Sequence, residues 1–230
     1  AMKRLQTITR AAAAALVSAL LISCGGESTE EQAASQAAIQ IKGAGATFPE
    51  PLYQSWIGRY KEENPDVDFS YEGVGSGEGI KRFIAEEVDF GASDAAMSDD
   101  EIAAVSRGVK LVPATAGMVV LAYNITGVGP GLRLPRDVYA DIFLNKITHW
   151  DDARIAAANP DVSLPHKQIQ AVVRRDSSGT TFAFTNHLSS ISREWQSGPG
   201  AAKLLDWPGS AIAGSGNEGV AQKVNISEGS

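Results

Sequence analysis

Cysteine is nearly absent from this sequence of 230 residues, with Cys24 as its one example. A single cysteine excludes an intrachain disulfide and a dithiol redox centre. Histidine is also scarce. His149, His166 and His187 are scattered and lack the spacing of a metal-binding motif. The sequence therefore predicts no metal site and no cofactor, and it favours surface or capping roles for the histidines.

An excess of positive charge is absent as well. Twenty Lys and Arg residues stand against 27 Asp and Glu residues, a net charge of −7. Because nucleic-acid-binding domains present a basic face, we expect no nucleic-acid partner. A hydrophobic content of 43% with a mean hydropathy of −0.10 is typical of a soluble globular chain. The length suits one large or two small domains.

Residues 1–23 have the pattern of a targeting segment. A basic start with Lys3, Arg4 and Arg10 precedes the apolar run 11–22. That run is too short to span a bilayer as a mature helix, and the combination is typical of a signal peptide.

The end of this segment, Leu21-Ile22-Ser23-Cys24-Gly25, resembles a bacterial lipoprotein signal. The resemblance implies that Cys24 is lipidated, becomes the new N-terminus and anchors the protein to a membrane. Ile22 is bulkier than the usual residue at its place, and the alternative is an unmodified thiol in the leader. Residues 24–38 are polar and predict a flexible tether.

The stretch from Gln170 to Phe184 predicts a strand, a tight turn and the start of a helix. Its apolar run, 171–173, reads as a buried strand, and Gly179 opens the helix. A helix N-terminus offers unpaired N–H groups and a partial positive charge, which favour an anion. The turn and first helical residues add hydroxyl donors from Ser177, Ser178 and Thr180.

An arginine next to this turn can add a charged, forked donor. Arg174 and Arg175 both qualify, and Asp176 can hold the arginine in place. The alternative is an ordinary strand–turn–helix with a Ser/Thr cap and solvent-facing arginines.

Two further strand–turn–helix units precede this one. Thr47 and Phe48 follow the predicted strand 39–42 and lie at the start of a helix that Asn64 ends. Ser76 follows the predicted strand 67–71 and opens a helix whose inward face includes Val88. The spacing of glycines around Ser76 matches neither a dinucleotide fingerprint nor a P-loop.

The rest of the chain predicts a larger α/β arrangement. Asp94 lies in a turn after a short strand, and a Ser98–Glu101 capping box opens a short helix that Gly108 closes. The runs 109–112 and 118–125 are continuously apolar, as expected for strands buried on both faces. Further helices are predicted near Pro135 and after residue 152. The C-terminal part carries the glycine-rich segment 214–219, and from there to residue 230 the sequence shows no closing helix or strand pattern.

Five segments together resemble the phosphate-binding protein family of the bacterial high-affinity ABC phosphate importer. They are GAGATFP, GVGSGEGIK, VDFGASDAAMS, KITHWDD and VVRRDSSGTTFAFT, in the family's order between about Ile41 and Val224. The resemblance implies an α/β, two-lobed periplasmic-binding-protein fold of type II, incomplete at the C-terminus. We expect lobe 1 over residues 39–117 and lobe 2 over 118–230, with the segment that returns to lobe 1 missing.

The resemblance also implies a set of phosphate ligands. Carried over by position, they are Thr47, Phe48, Ser76, Asp94, Arg174, Ser178, Gly179 and Thr180. Asp176 matches the aspartate that pairs with the arginine. Two residues depart from the family pattern, since Glu78 lies near the second loop and Ser177 replaces a frequent glycine.

The function implied is a non-enzymatic one. Such a protein captures inorganic phosphate in the periplasm or at the cell surface and delivers it to the permease of an ABC importer. The alternatives are a hydrolase of phosphate esters and a binder of another oxyanion. Asp94 discriminates between anions, because a carboxylate accepts a hydrogen bond only from a protonated ligand such as hydrogen phosphate.

Overall fold

The computed structural model describes residues 39–230. The predicted signal segment 1–23, the tether 24–38 and the predicted lipidation site Cys24 lie outside the described residues.

A three-stranded parallel sheet forms the centre of the first lobe, with the spatial order β2-β1-β3. Its strands are β1 (Ile39–Gly45), β2 (Val67–Gly73) and β3 (Phe90–Ala92). Parallel neighbours need a crossover connection. The crossovers are α1 (Glu50–Glu63) and α2 (Ser76–Ile84), followed by α3 (Asp99–Ala103).

Helix α1 packs its apolar stripe on this sheet. Ile57 is buried against Tyr71 of β2 and Ala92 of β3. Partly buried aromatic side chains complete the core: Tyr53, Phe69 and Phe90. Pro51 lies in the first turn, where a missing N–H costs little, and Asn64 ends the helix as predicted.

A two-stranded parallel sheet forms the second lobe, from β4 (Val172–Arg174) and β5 (Ile212–Gly214). The helices α6 (Gly179–Ile191) and α7 (Arg193–Ser197) connect these strands, and α8 (Gly216–Ile226) follows β5. Two more helices precede the sheet, α4 (Arg136–Phe143) and α5 (Ala153–Ala158).

The second lobe has two apolar clusters of its own. One joins α4 and α5 through Val138, Ile142 and Ile155. The other surrounds the fully buried Trp195 and Leu188. These clusters share no residue with the first lobe's core, so the fold is the two-lobed α/β arrangement expected. The boundary at residues 117 and 118 stays a prediction, because residues 104–135 of the described chain form neither helix nor strand.

The capping and periodicity patterns predicted the helices α2 and α3 correctly but placed their C-terminal ends too late in the sequence. The Ser98–Glu101 capping box is present. However, α3 ends at Ala103 with Ala104 as its C-cap, several residues before the predicted end at Gly108. Helix α2 likewise ends at Ile84, so Val88 is buried outside the helix.

The prediction of buried strands at 109–112 and 118–125 is wrong for this structure. Both segments lack strand geometry, and the side chains of Met118 and Val120 are 90% and 72% exposed. A strand needs a neighbour for its backbone hydrogen bonds, and within the described residues neither sheet extends to these segments. Ile125 alone in the second run is buried.

The glycine-rich segment after residue 213 is also different from its prediction. Gly214 ends β5 and residues 216–219 form the start of α8, so a helix does close this part of the chain. Their sequence signals are weak, because β5 has only three residues and α8 opens with Gly216.

Candidate anion-binding site

The N-termini of α2 and α6 come from different lobes and meet directly. The backbone N–H of Gly77 donates a hydrogen bond to the carbonyl of Ser177 over 3.1 Å. A Cβ added to Gly179 would lie 2.5 Å from the Ser76 hydroxyl oxygen and 2.8 Å from the Asp94 nitrogen. Gly179 therefore permits the close approach. Both helix ends carry partial positive charge, which suits the junction to an anion.

Asp94 bridges the two lobes at this junction. Its carboxylate accepts a hydrogen bond from the Thr180 hydroxyl over 2.9 Å. Its backbone N–H donates to the Ser76 hydroxyl oxygen over 3.3 Å. Ser76 is buried and opens α2. The structure thus brings together three of the predicted ligand residues.

The pKa of Asp94 is raised above its ordinary value of 3.8. Burial is the main cause, since it disfavours the charged form. The hydrogen bond from Thr180 and the positive charge of Arg174 oppose this rise and offset part of it. Arg174 is thus a nearby cation that favours the ionised form of this partly buried carboxylate.

Arg174 is the buried cation of the site, with 7% of its surface exposed. Its Nε and Nη2 atoms donate to the two carboxylate oxygens of Asp176, the former over 2.8 Å. Its Nη1 donates to Oδ1 of Asn217 over 2.8 Å. A guanidinium has five N–H groups, so these contacts leave one on each Nη atom for a ligand.

Asp176 holds the arginine as the sequence analysis predicted. Burial by itself raises the pKa of Asp176, but the hydrogen bonds from Arg174 and from the Gly216 backbone outweigh that effect and lower it. The neighbouring Arg175 has a different environment. Its Nε donates to the Ser215 hydroxyl over 2.6 Å at the exposed surface.

Thr47 and Phe48 precede α1, on the first lobe's side of the junction. The Thr47 hydroxyl oxygen accepts a hydrogen bond from the Asn217 backbone N–H over 3.2 Å. The Phe48 ring lies against Gly117, where a Cβ would be 2.6 Å from the ring. Phe48 has an apolar side chain, so its polar contribution to a ligand is limited to the backbone.

Ser178 is fully buried and caps α6. Its hydroxyl oxygen accepts from the Thr181 N–H over 3.2 Å, and its own backbone N–H donates to the Lys203 carbonyl over 2.8 Å. The Ser178 hydroxyl proton is then the donor that remains for a ligand. Thr180 already directs both its hydroxyl proton and its backbone N–H at the Asp94 carboxylate.

A cavity of about 940 Å³ opens beside these residues. Four of the predicted ligand residues line it: Phe48, Asp94, Arg174 and Thr180. The segment 109–120 forms much of its apolar wall. The other four predicted ligands do not line the cavity but lie at the junction between the lobes: Thr47, Ser76, Ser178 and Gly179. The role of all eight predicted residues as ligands stays a prediction.

Glu78 and Ser177, the two residues that depart from the family pattern, both make contacts near the junction of α2 and α6. Glu78 accepts a hydrogen bond from Arg82 over 3.1 Å and pairs with Lys81, both on α2. The hydrogen bond from Arg82 lowers the pKa of Glu78, which lies at the surface. Ser177 contacts the first lobe through its carbonyl, and its hydroxyl oxygen occupies the space beside Gly77.

Asn217 is a polar residue of the site that the sequence analysis did not select. It lies in the first turn of α8, lines the cavity and contacts both Arg174 and Thr47. The available signal was the repeat of a short apolar run, a glycine turn and a serine, followed by Val220 and Val224 four residues apart. That pattern matches the three strand–turn–helix units recognised earlier.

Between residues 39 and 230, His, Cys, Asp and Glu side chains form no group of three or more that is able to hold a metal ion. In that range, too, every helix is too short or too polar to cross a membrane.

The family model of the PBP superfamily domain matches residues 30–230. The chain belongs to this superfamily, in agreement with its two-lobed fold.

Relatives within this class are named for one ligand. The chain is 41% identical over 211 residues to phosphate-binding protein PstS of Xylella fastidiosa (strain 9a5c), covering 91% of this chain and 57% of the relative. It is also 41% identical over 206 residues to phosphate-binding protein PstS of Methanocaldococcus jannaschii, covering 85% of this chain and 53% of the relative. The chain thus spans about half the length of the curated relatives it matches.

Solved structures agree on the fold. A high-affinity periplasmic phosphate-binding protein with bound phosphate superposes with a TM-score of 0.64 at 24% identity, covering 83% of this chain and 55% of that one. A substrate-binding protein assigned to a phosphate ABC transporter of Clostridium perfringens superposes with a TM-score of 0.58 at 20% identity. That match covers 83% of this chain and 68% of the other.

Proposed function

We propose that this protein binds inorganic phosphate outside the cytoplasmic membrane and delivers it to the permease of an ABC importer. The observation that carries the proposal is that Asp94 and the buried Arg174, an acceptor and a charged donor, both line the same cavity. The curated relatives, named as phosphate-binding proteins, support the same ligand.

This pair of charges fits hydrogen phosphate. The two free N–H groups of Arg174 donate to phosphate oxygens, and charge-assisted hydrogen bonds of this kind are strong. The remaining P–OH group needs an acceptor, and the Asp94 carboxylate is one. Sulfate has no proton near neutral pH, so it leaves that acceptor unpaired. The site therefore favours phosphate over sulfate.

The remaining donors are neutral and come from both lobes. Ser178 offers a hydroxyl proton, Gly179 offers a backbone N–H group, and Thr47 offers a hydroxyl from the opposite lobe. A ligand that bridges the lobes stabilises their closed arrangement, which is how binding becomes a signal to a permease.

The proposed role is binding and not catalysis. A phosphatase needs a nucleophile with a neighbouring base, or metal ions. Ser76 and Ser178 are buried, and their hydroxyls contact the backbone N–H groups of Asp94 and Thr181 instead of a base. A binder of another oxyanion is the competing function, and the selectivity of Asp94 separates the two.

We place the protein in the periplasm or at the cell surface, held to a membrane by lipid at Cys24. The support is the lipoprotein-like sequence around that cysteine. Stable anchoring requires more than one acyl chain, since a single chain gives marginal membrane binding.

Isothermal titration calorimetry with phosphate at pH 7 tests the function. We expect saturable binding with one phosphate per chain. An absence of binding, checked by equilibrium dialysis with radioactive phosphate, would contradict the proposal. Release of p-nitrophenolate and phosphate from p-nitrophenyl phosphate by the purified protein would support the hydrolase alternative.

A further inference from the structure

The first turn of α8 makes three hydrogen bonds to residues at the junction of the two lobes. The Gly216 N–H donates to Oδ1 of Asp176 over 3.0 Å, and the Asn217 N–H donates to the Thr47 hydroxyl oxygen over 3.2 Å. The side-chain oxygen of Asn217 accepts from Nη1 of Arg174 over 2.8 Å. One helical turn therefore contacts the arginine, its carboxylate partner and a residue of the opposite lobe.

We propose that Asn217 is a positioning residue that fixes the guanidinium of Arg174 and the hydroxyl of Thr47 together for the bound anion. The proposal rests on the proposed function, because the anion is taken to be phosphate.

The restraint on Arg174 follows from its donors. Asp176 accepts from Nε and Nη2, which fixes one edge of the planar guanidinium. Asn217 accepts from Nη1 and fixes the other end. With three of five N–H groups engaged, the free ones are held in one direction. Such preorganisation lowers the entropy cost of binding.

The restraint on Thr47 follows from its acceptor. When its hydroxyl oxygen accepts from the Asn217 backbone, its single proton is left for donation. That backbone contact also joins the first lobe to α8 of the second lobe. Asn217 thus contacts Thr47 through its backbone and Arg174 through its side chain.

Helix α8 is held in the orientation that this role requires. Its cap residue Ser215 makes no side-chain capping bond and instead accepts from Arg175. The carboxylate of Asp176 satisfies the Gly216 N–H in its place. Negative charge at a helix N-terminus is favourable, so Asp176 stabilises α8 and orients Arg174 with the same group.

Two readouts test the proposal, phosphate affinity by calorimetry and the side-chain NMR signals of Arg174 without ligand. A fixed guanidinium gives resolved Nη signals, whereas a freely rotating one gives averaged signals. For Asn217→Ala we expect affinity weaker by about tenfold, the loss of one charged hydrogen bond, together with averaged Arg174 signals. Asn225→Ala is the matched control on the exposed side of α8 and should change neither readout.

A second variant distinguishes the loss of the Arg174 contact from a general disturbance of the fold. Asn217→Asp keeps an acceptor for Arg174, so the Nη signals should stay resolved while added negative charge weakens phosphate binding. The proposal is overturned if Asn217→Ala leaves the Arg174 signals resolved, whatever happens to affinity, or if Asn217→Asp averages them. If the unaltered protein binds no phosphate, the proposed function fails, and the NMR signals alone decide the role of Asn217.

Discussion

Lys203 of the second lobe donates to both carboxylate oxygens of Glu101 in the first lobe, over 2.9 and 3.3 Å. The backbone carbonyl of Lys203 also accepts from the Ser178 N–H at the start of α6. Burial by itself raises the pKa of Glu101, but its hydrogen bonds from Ser98 and Lys203 outweigh burial and lower it. This ion pair links the lobes away from the cavity.

We expect Lys203→Met to weaken phosphate binding by up to about fivefold, because a partly exposed ion pair contributes about 0.2–1 kcal/mol. The loss should act on the closed state and appear as faster phosphate release. Stopped-flow measurements check this expectation. The control is Lys81→Met, which removes an ion pair within α2. Equal release rates in all three proteins would show that the pair does not stabilise closure.

Arg174 and Arg175 differ in environment despite being neighbours. Arg174→Ala should weaken phosphate binding by about 2–5 kcal/mol, since it also leaves Asp176 without its charged partner. Arg175→Ala should cost under about 1 kcal/mol, because that side chain is exposed. Calorimetric titration of both variants makes the comparison. Similar losses would contradict the assignment of Arg174 as the ligand.

The raised pKa of Asp94 predicts a pH-dependent stability difference. Folding favours the protonated form of Asp94, so protonation adds to the free energy of unfolding. This stabilising contribution is fully present below the ordinary pKa of 3.8 and is lost as the pH rises through the pKa of the folded state. At pH 7 the ionised carboxylate therefore costs stability when no ligand is bound.

Asp94→Asn should accordingly raise the melting temperature of the ligand-free protein at pH 7, with a gain that shrinks as the pH falls towards 4. Differential scanning calorimetry across this range gives the answer, with the exposed Asp161→Asn as control. A gain that is equal at both ends of the range would assign the effect to something other than ionisation.

The predicted lipid anchor has its own test. If Cys24 is lipidated, Cys24→Ser should move the protein from the membrane fraction to the soluble fraction or leave the signal segment uncleaved. Detergent phase separation and mass spectrometry of the N-terminus measure both outcomes. Membrane partitioning that is the same with and without the substitution would exclude Cys24 as the anchor.

The parts of the fold that could be read from the sequence are those fixed by short-range signals. The starts of α1, α2 and α6 follow from proline, glycine and hydroxyl residues next to apolar periodicity. The sequence of residues 118–125 could not show that this apolar run forms no strand, because strand formation depends on a partner elsewhere in the chain. Asn217 was missed for a similar reason, since its contacts to Arg174 and Thr47 span 43 and 170 residues.

The central claim is that Asp94 accepts the proton of hydrogen phosphate. The most direct measurement is titration of phosphate and sulfate into the unaltered protein and into Asp94→Asn at neutral pH. We predict that the unaltered protein prefers phosphate and that Asp94→Asn shifts the affinity ratio towards sulfate, because the amide can donate to a fully ionised oxygen. An unaltered protein that binds both anions equally, or a ratio that the substitution leaves unchanged, would contradict the account.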